Sequence, residues 1–493
     1  MSKVEEFHVS HDAIETEGDV FGKALPARYV GTATDRHDMS ILGKKQVLRR
    51  QFKFSTMLGF ASTVMVAWEF VLLVSPFTLQ DGGTAGQYHW VSELAPPNYQ
   101  KGLSYSVGWL IALGWQTFLC GVAYSTAGLI IGLVKLNNDS YQIQSFHQTL
   151  LTMALVLFCV IFNVFLSVRL PLVEALVLVL HCLGVFVVII PLWIMAPRGN
   201  VHDTIFNFTD NGGWGNVGLS STIGMVPMIG MLIGYDCTVH MSEEVQDASL
   251  TVPRVVMYAV ASNAVMLLIV GITYIFCLGD LESVLNTPTY QPVIQVFYNA
   301  TKSKAGTTVM VSVLIIIFVS ACVGQVATAS RQMWSFARDR GLPGSKYLER
   351  VAPGWNIPII AIIVSAIITS LLSLINIGSY AAFNAFNSLG TTSLLFSYNI
   401  TIGCLIWRRL YGQPLPARRW SLGKYGMPLN IVSVIFTIPM LFFYVWPLSY
   451  PVTPENMNWA IAMFGGVLVI ASVYYVVRAR KEYIGPVMLV KRE

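Results

Sequence analysis

Asp236 sits where charge and backbone could do chemistry. An apolar stretch broken by Gly230 and Gly234 leads through Tyr235 into Asp236. A polar segment with Glu243 and Glu244 follows, then a Val-Pro-Arg entry at 252–254 into the next apolar run. Glycines and a carboxylate at depth in a span expose groups that lipid cannot satisfy, so such a segment needs protein or a water-lined cavity around it. Its chemistry would be ion and dipole binding, with the free backbone groups of a discontinuous helix meeting the charged ends of a substrate or coupling ion. The same glycines also suit a small-xxx-small packing face, with Asp236 at the water boundary.

Two more acids stand in apolar sequence. Glu69 follows Trp68 in the first run; an intramembrane glutamate is a functional candidate, unless it sits at the interface or pairs with another helix. Glu174 and His181, seven residues apart, share a helix face. They are expected to form a packed, hydrogen-bonded pair rather than a proton relay.

The elements that must position these residues are membrane helices. The chain has 493 residues, of which 54% are hydrophobic and 12% charged, about half the charge of a soluble domain. Eleven apolar runs are long enough to span a bilayer: 54–79, 104–134, 147–168, 172–196, 221–239, 255–278, 308–330, 358–377, 381–407, 429–449 and 458–477. The expected fold class is an all-α polytopic membrane protein. Residues 1–50 are expected to be a largely disordered cytosolic tail, 51–480 the membrane domain and 481–493 a short cytosolic tail. The start has no apolar signal region, so the first span must target the chain. The seven cysteines lie in or beside apolar runs, with no Cys/His metal spacing. No disulfide, metal or cofactor is expected.

Of the 31 Lys and Arg residues, all but Lys135, Arg198, Lys302 and Lys304 fall on one set of connections and the termini. That partition places both termini in the cytosol. Each basic cluster abuts a span, which disfavours a nucleic-acid partner and leaves the bilayer. Sequons at Asn138, Asn207 and Asn299 fall on the other side. Parity then fails, because residues 80–103 are too polar to cross, yet Lys101 must share the side of the N-terminal tail. Run 54–79, weakened by Glu69 and its glycine, is expected to give way first.

Polar rows mark two later runs, with Gln325 among Ser312, Ser320, Gly324 and Thr328, and Asn384 and Asn387 before Gly390. Such rows serve equally as inter-helix glue.

Several strings together resemble the amino acid–polyamine–organocation superfamily, and within it the fungal GABA, choline and amino-acid permeases. They are Leu-Gly-Phe-Ala-Ser (58–62) with Ala-Trp-Glu (67–69), Gln-Tyr-His-Trp (87–90) and Gly-Trp-Gln (114–116). Asn-Gly-Gly-Trp (211–214), Tyr-Asp at 235–236 with the acidic segment after it, and Ala-Arg-Asp-Arg-Gly-Leu-Pro (337–343) complete the set. The resemblance implies an inverted-repeat fold of twelve helices with helices one and six broken around the substrate. It places the first break at Gly59–Ser62, including Ala61, and the second at Gly230–Asp236 with Gly234 and Tyr235. Trp115, Gln116, Gln325, Asn384 and Asn387 become side-chain contacts, and Glu69, Asp236 and Glu174 the proton-coupling candidates.

One departure explains the parity. Gly82-Gly83-Thr84-Ala85-Gly86 joins directly to Gln87, where the family inserts its second helix. Eleven spans therefore stand for twelve. The implied function is proton-coupled secondary transport of an amino acid, GABA or choline, expected at the plasma membrane. A non-transporting sensor or inactive permease is the alternative. No P-loop supports ATP drive, and no nucleophile–base or metal arrangement supports an enzyme.

Overall fold

The computed structural model describes residues 27–74, 88–206, 208, 210, 212–377, 380–415, 419–447, 449–454 and 456–486. Its helices are α1 Ala33–Ile41, α2 Phe54–Met65, α3 Ala67–Val74, α4 Tyr88–Leu94, α5 Gln100–Asn137 and α6 Ser145–Phe165. They continue with α7 Leu170–Met195, α8 Val217–Ile229, α9 Cys237–His240, α10 Ala248–Phe276 and α11 Pro292–Thr301. The last are α12 Lys304–Arg338, α13 Ile359–Leu374, α14 Tyr380–Tyr411, α15 Gly426–Phe443 and α16 Ala460–Tyr474, with shorter turns left unlabelled. Ten helical stretches among the described residues are long and apolar enough to cross a membrane, and α13 is a shorter apolar helix. These account for all eleven runs in an all-α polytopic architecture.

Burial separates an inner set from an outer one. Helices α2, α5 and α12 carry long buried stretches, whereas α15 and α16 expose Ile435, Val469, Ile470 and Val473, the apolar surface a lipid-facing helix requires. The first span does not give way: α2 and α3 are buried between α7, α10 and α12. Tight packing holds it there, since a Cβ on Gly59 would collide with the carbonyl oxygen of Glu174 on α7. Gly59 is the residue that lets the two backbones touch.

The basic connections gather at one end of the bundle. Arg331 pairs with Glu244 at 2.8 Å, both buried, and Lys44 with Asp339 at 2.6 Å. Arg338 pairs with Glu243, and Arg419 with Asp247. At the opposite end Lys304 meets Asp139 at 3.0 Å, next to Asn138. Asn207 lies outside the described residues.

The expectation of a largely disordered segment over residues 1–50 fails for 27–50; residues 1–26 lie outside the described residues. Thr32 and Asp35 form a reciprocal cap that starts α1. Asp35 then accepts from the N–H groups of Asp247 (2.8 Å) and Ala248 (3.1 Å) and pairs with Arg50 at 3.2 Å. Burial alone would raise the Asp35 carboxyl. The backbone donors of Thr32, Asp247 and Ala248, with Arg50, outweigh it and hold the group below the usual aspartate value. A depressed carboxylate stabilises above its unfolded pKa of 3.8 and loses that contribution as pH falls through the folded value. The clamp is therefore intact at neutral pH and lost in acid. Asp35→Asn is expected to speed tryptic cleavage at Arg36 and Lys44 at neutral pH about tenfold, the effect of losing roughly 1–3 kcal/mol of buried hydrogen bonding. Unchanged cleavage would show that residues 27–50 are held some other way.

Candidate functional site

The sixth membrane element is broken where the glycines predict. Helix α8 ends at Ile229, a 3₁₀ turn covers Gly230–Leu232, and α9 restarts at Cys237. Pro227 lacks the N–H that would continue the ladder. Gly234 takes φ +102°, a conformation L side chains rarely adopt. A leucine there is expected to remove ligand binding, measured with labelled choline, GABA or a neutral amino acid. Gly230→Ala is expected to cost only a few-fold, because its Cβ would sit 3.3 Å from two yielding side-chain oxygens, those of Thr391 and Tyr444.

Helix one breaks at Val66, not at Gly59–Ser62. Gly59, Ala61 and Ser62 are interior to α2. Val66 is left-handed at φ 48° and ψ 37°, and α3 begins at the next residue. A β-branched residue there costs on the order of 1–3 kcal/mol. The break frees the Val64 carbonyl, and Gln325 Nε2–H donates to it at 3.3 Å. Close packing at Gly59 needs an unbroken helix, so the discontinuity falls later. The two breaks adjoin, with α2 against α9 and α3 against the 3₁₀ turn.

Asp236 is 1% exposed at this junction. Trp115 Nε1–H on α5 donates to Oδ2 at 3.0 Å, and Tyr398 O–H on α14 donates to Oδ1 at 3.0 Å. His240 Nε2 lies 3.3 Å from Oδ2, one turn along on the same chain segment. That histidine is the ion-pair partner of Asp236 among the described residues. Aromatic rings crowd around: Trp115 stands 6.0 Å from Phe118 and from His240, and Tyr235 stands 6.2 Å from Tyr398, centroid to centroid. A buried carboxylate held by neutral donors among aromatic side chains is suited to a ligand cation.

Several anticipated residues meet here: Gly230, Gly234, Tyr235, Asp236 and Trp115. Gln325 lies at the adjoining break. Gln116 does not join them, because its Nε2–H donates to Ser365 on α13 at 2.9 Å; adjacent helical residues point about 100° apart. Helix α14 includes Asn384 and Asn387, whose side chains lie outside the described residues. Sequence reasoning overlooked His240 and Tyr398. His240 was detectable from its i+4 spacing to Asp236. Tyr398 carried no local signal, because its role depends on packing across 162 residues.

The expected Glu174–His181 pair is absent. His181 Nδ1 lies 2.6 Å from Glu69 Oε1 on α3, while Glu174 points between α2 and α12, its oxygens without hydrogen-bond partners among the described residues. Seven residues are about 10.5 Å of helix, enough for one face to meet two neighbours.

Together the bundle, the two adjoining helix breaks and the buried carboxylate define an integral-membrane carrier. Residues 54–468 match the amino acid permease family, and the chain belongs to it. The family is one of transporters, not enzymes. A putative amino acid/polyamine transporter of Macrophomina phaseolina is 27% identical, over 82% of this chain and 88% of its own length. The choline transporter of Saccharomyces cerevisiae is 28% identical, over 81% and 70%. The GABA-specific permease of the same yeast is 26% identical, over 93% and 87%.

Proposed function

We propose that this permease takes a small nitrogen compound carrying an ammonium group, of the amino acid, GABA or choline class, and moves it by alternating access. The observation that carries the reading is Asp236, a carboxylate at the junction of both helix breaks with no Lys or Arg paired to it among the described residues. A ligand cation supplies the missing charge, and the aromatic rings favour one that is weakly hydrated. Free backbone groups at the breaks serve a carboxylate where the substrate has one.

Transport draws on protons, with Glu69, Asp236 and Glu174 as the ionisable groups in the spans. The basic end faces the cytosol, so both termini lie there and Asn138 and Asn299 lie outside. The chain resides in the plasma membrane. Cysteine labelling of the 337–358 loop tests this orientation, which accessibility only from outside would overturn.

Counterflow of labelled choline, GABA and a neutral amino acid in proteoliposomes tests the carrier reading. Saturable exchange of at least one supports it, and absence of both binding and exchange overturns it. A second reading, a sensor or inactive permease, is favoured by the direct joining of Gly86 to Gln87 in place of helix two. Binding without exchange is its signature.

A further inference from the structure

We propose that Glu69 and His181 form the proton site of this permease, a dyad separate from the substrate carboxylate. The inference rests on the proton-driven carrier reading above and assigns the proton its place.

The geometry requires a hydrogen between the two side chains. Nδ1 and Oε1 are 2.6 Å apart, closer than two facing lone pairs allow. Trp68 Nε1–H is aimed at the same Nδ1 from 3.2 Å. A ring nitrogen either carries an N–H or accepts, and the indole can only donate. With the hydrogen on Nδ1, Glu69 is served and the indole loses this acceptor. With the hydrogen on Oε1, carboxyl and indole converge on one lone pair. Neither arrangement satisfies all three groups, so the hydrogen has two competing positions. Both residues are fully buried, and Glu69 Oε2 and His181 Nε2 have no hydrogen-bond partner among the described residues. The unused Nε2 leaves room for the net proton that transport would carry.

The surroundings insulate this site. On α7 the other titratable groups are Glu174, two turns away, and Cys182. Helix α10 brings Tyr274 and, near its start, Arg254 and Tyr258; α11 brings Tyr298. Between Lys304 and Arg331, α12 brings only Cys322, and beside Trp68 it places Val313 and Ile317 around Gly184 of α7. No Lys or Arg among the described residues forms an ion pair with Glu69 or His181.

Position links the dyad to the substrate. Glu69 stands three residues beyond the Val66 break, on the half-helix that packs against Gly230–Leu232, the turn leading to Asp236. A change in the bond to His181 therefore acts on α3, and α3 bears on the substrate break. Glu174, though buried, has no partner among the described residues through which to exchange a proton with a neighbouring helix.

The test measures binding of labelled choline, GABA and a neutral amino acid to the purified full chain from about pH 5 to about pH 8, the range of a histidine-linked switch. For a ligand that binds, one linked proton makes affinity fall up to about tenfold per pH unit above the midpoint. Glu69→Gln, which imitates the protonated acid, is expected to hold low-pH affinity throughout, changing less than about twofold. His181→Gln is expected to flatten the profile as well, covering the case in which one variant fails to fold. A full slope in either folded variant, or a slope abolished only by Glu174→Gln, overturns the dyad. Trp68 gives a readout independent of ligand. The pH-dependent emission that distinguishes wild type from Trp68→Phe should vanish in both dyad variants, and its persistence counts against the dyad. If no probe binds but this signal behaves as described, the carrier reading fails while the dyad stands.

Discussion

Asp236→Asn is expected to weaken binding of every ammonium ligand the permease accepts by about 30-fold or more. The figure follows from removing one partner of a buried charge pair, roughly 2–5 kcal/mol. Most of that cost falls on the bound state, where the ligand cation would be desolvated beside an amide instead of a carboxylate. The fold should tolerate the change, because Asn has the same shape and its carbonyl oxygen can still accept from Trp115 or Tyr398. Only one of those two donors, bonded to opposite oxygens in the native site, then keeps its partner. Trp115→Phe and Tyr398→Phe each remove one neutral donor and are expected to cost about tenfold or more, in line with roughly 1.5–3 kcal/mol per hydrogen bond to a charged group. Equilibrium binding with labelled choline, GABA and a neutral amino acid reads all three variants. If Asp236→Asn bound like the wild type while Trp115→Phe did not, the pocket would be recognising shape rather than charge.

How much of this site was legible in the sequence depends on whether its signals were local. The break at Gly230–Asp236 had a local signal in its glycines and acid, but the same glycines suited a packing face, and it was the family resemblance that chose the break. The eleven spans were plain, being set by length and apolarity. The first break was not legible. Gly59 looks like a helix breaker in isolation, yet it serves a close approach to α7, and the left-handed residue is Val66, which no propensity would choose. His181 shares a face with Glu174 but meets Glu69, since a face fixes direction and not partner. Order in residues 27–50 was hinted at by the Thr32–Asp35 spacing, but the clamp depends on Asp247 and Ala248, more than 200 residues away.

Inserting a second membrane helix between Gly86 and Gln87 is expected to raise exchange at least tenfold over the 493-residue chain, with binding at Asp236 changed less than about twofold. The case starts from where the described residues stop and resume. Phe70 on α3 lies 6.3 Å from Phe318, whereas Tyr105, near the start of α5, lies 6.1 Å from Phe336. Those phenylalanines are eighteen residues apart on α12, about 27 Å of helix. Helix α4 stays with the start of α5 and with Arg408, which donates to the Glu93 carbonyl at 2.6 Å. Val74 and Tyr88 therefore lie at well-separated levels along the bundle. Residues 75–87 lie outside the described residues, and their number alone limits what they can do. Thirteen residues as a helix would reach only about 20 Å. Fully extended they would reach roughly 45 Å, but an extended chain cannot meet lipid with its backbone unpaired. A further span of about 20 residues meets both requirements. Its absence leaves the two breaks and Asp236 in place, which is why binding should survive. With so short a connection between α3 and α5, flux is the property expected to suffer. Counterflow with both chains in matched proteoliposomes decides the matter. Equal, saturable exchange by the two would show that helix two is dispensable. A transcript carrying additional codons between those for Gly86 and Gln87 would show that the missing span was lost from the chain rather than from the gene.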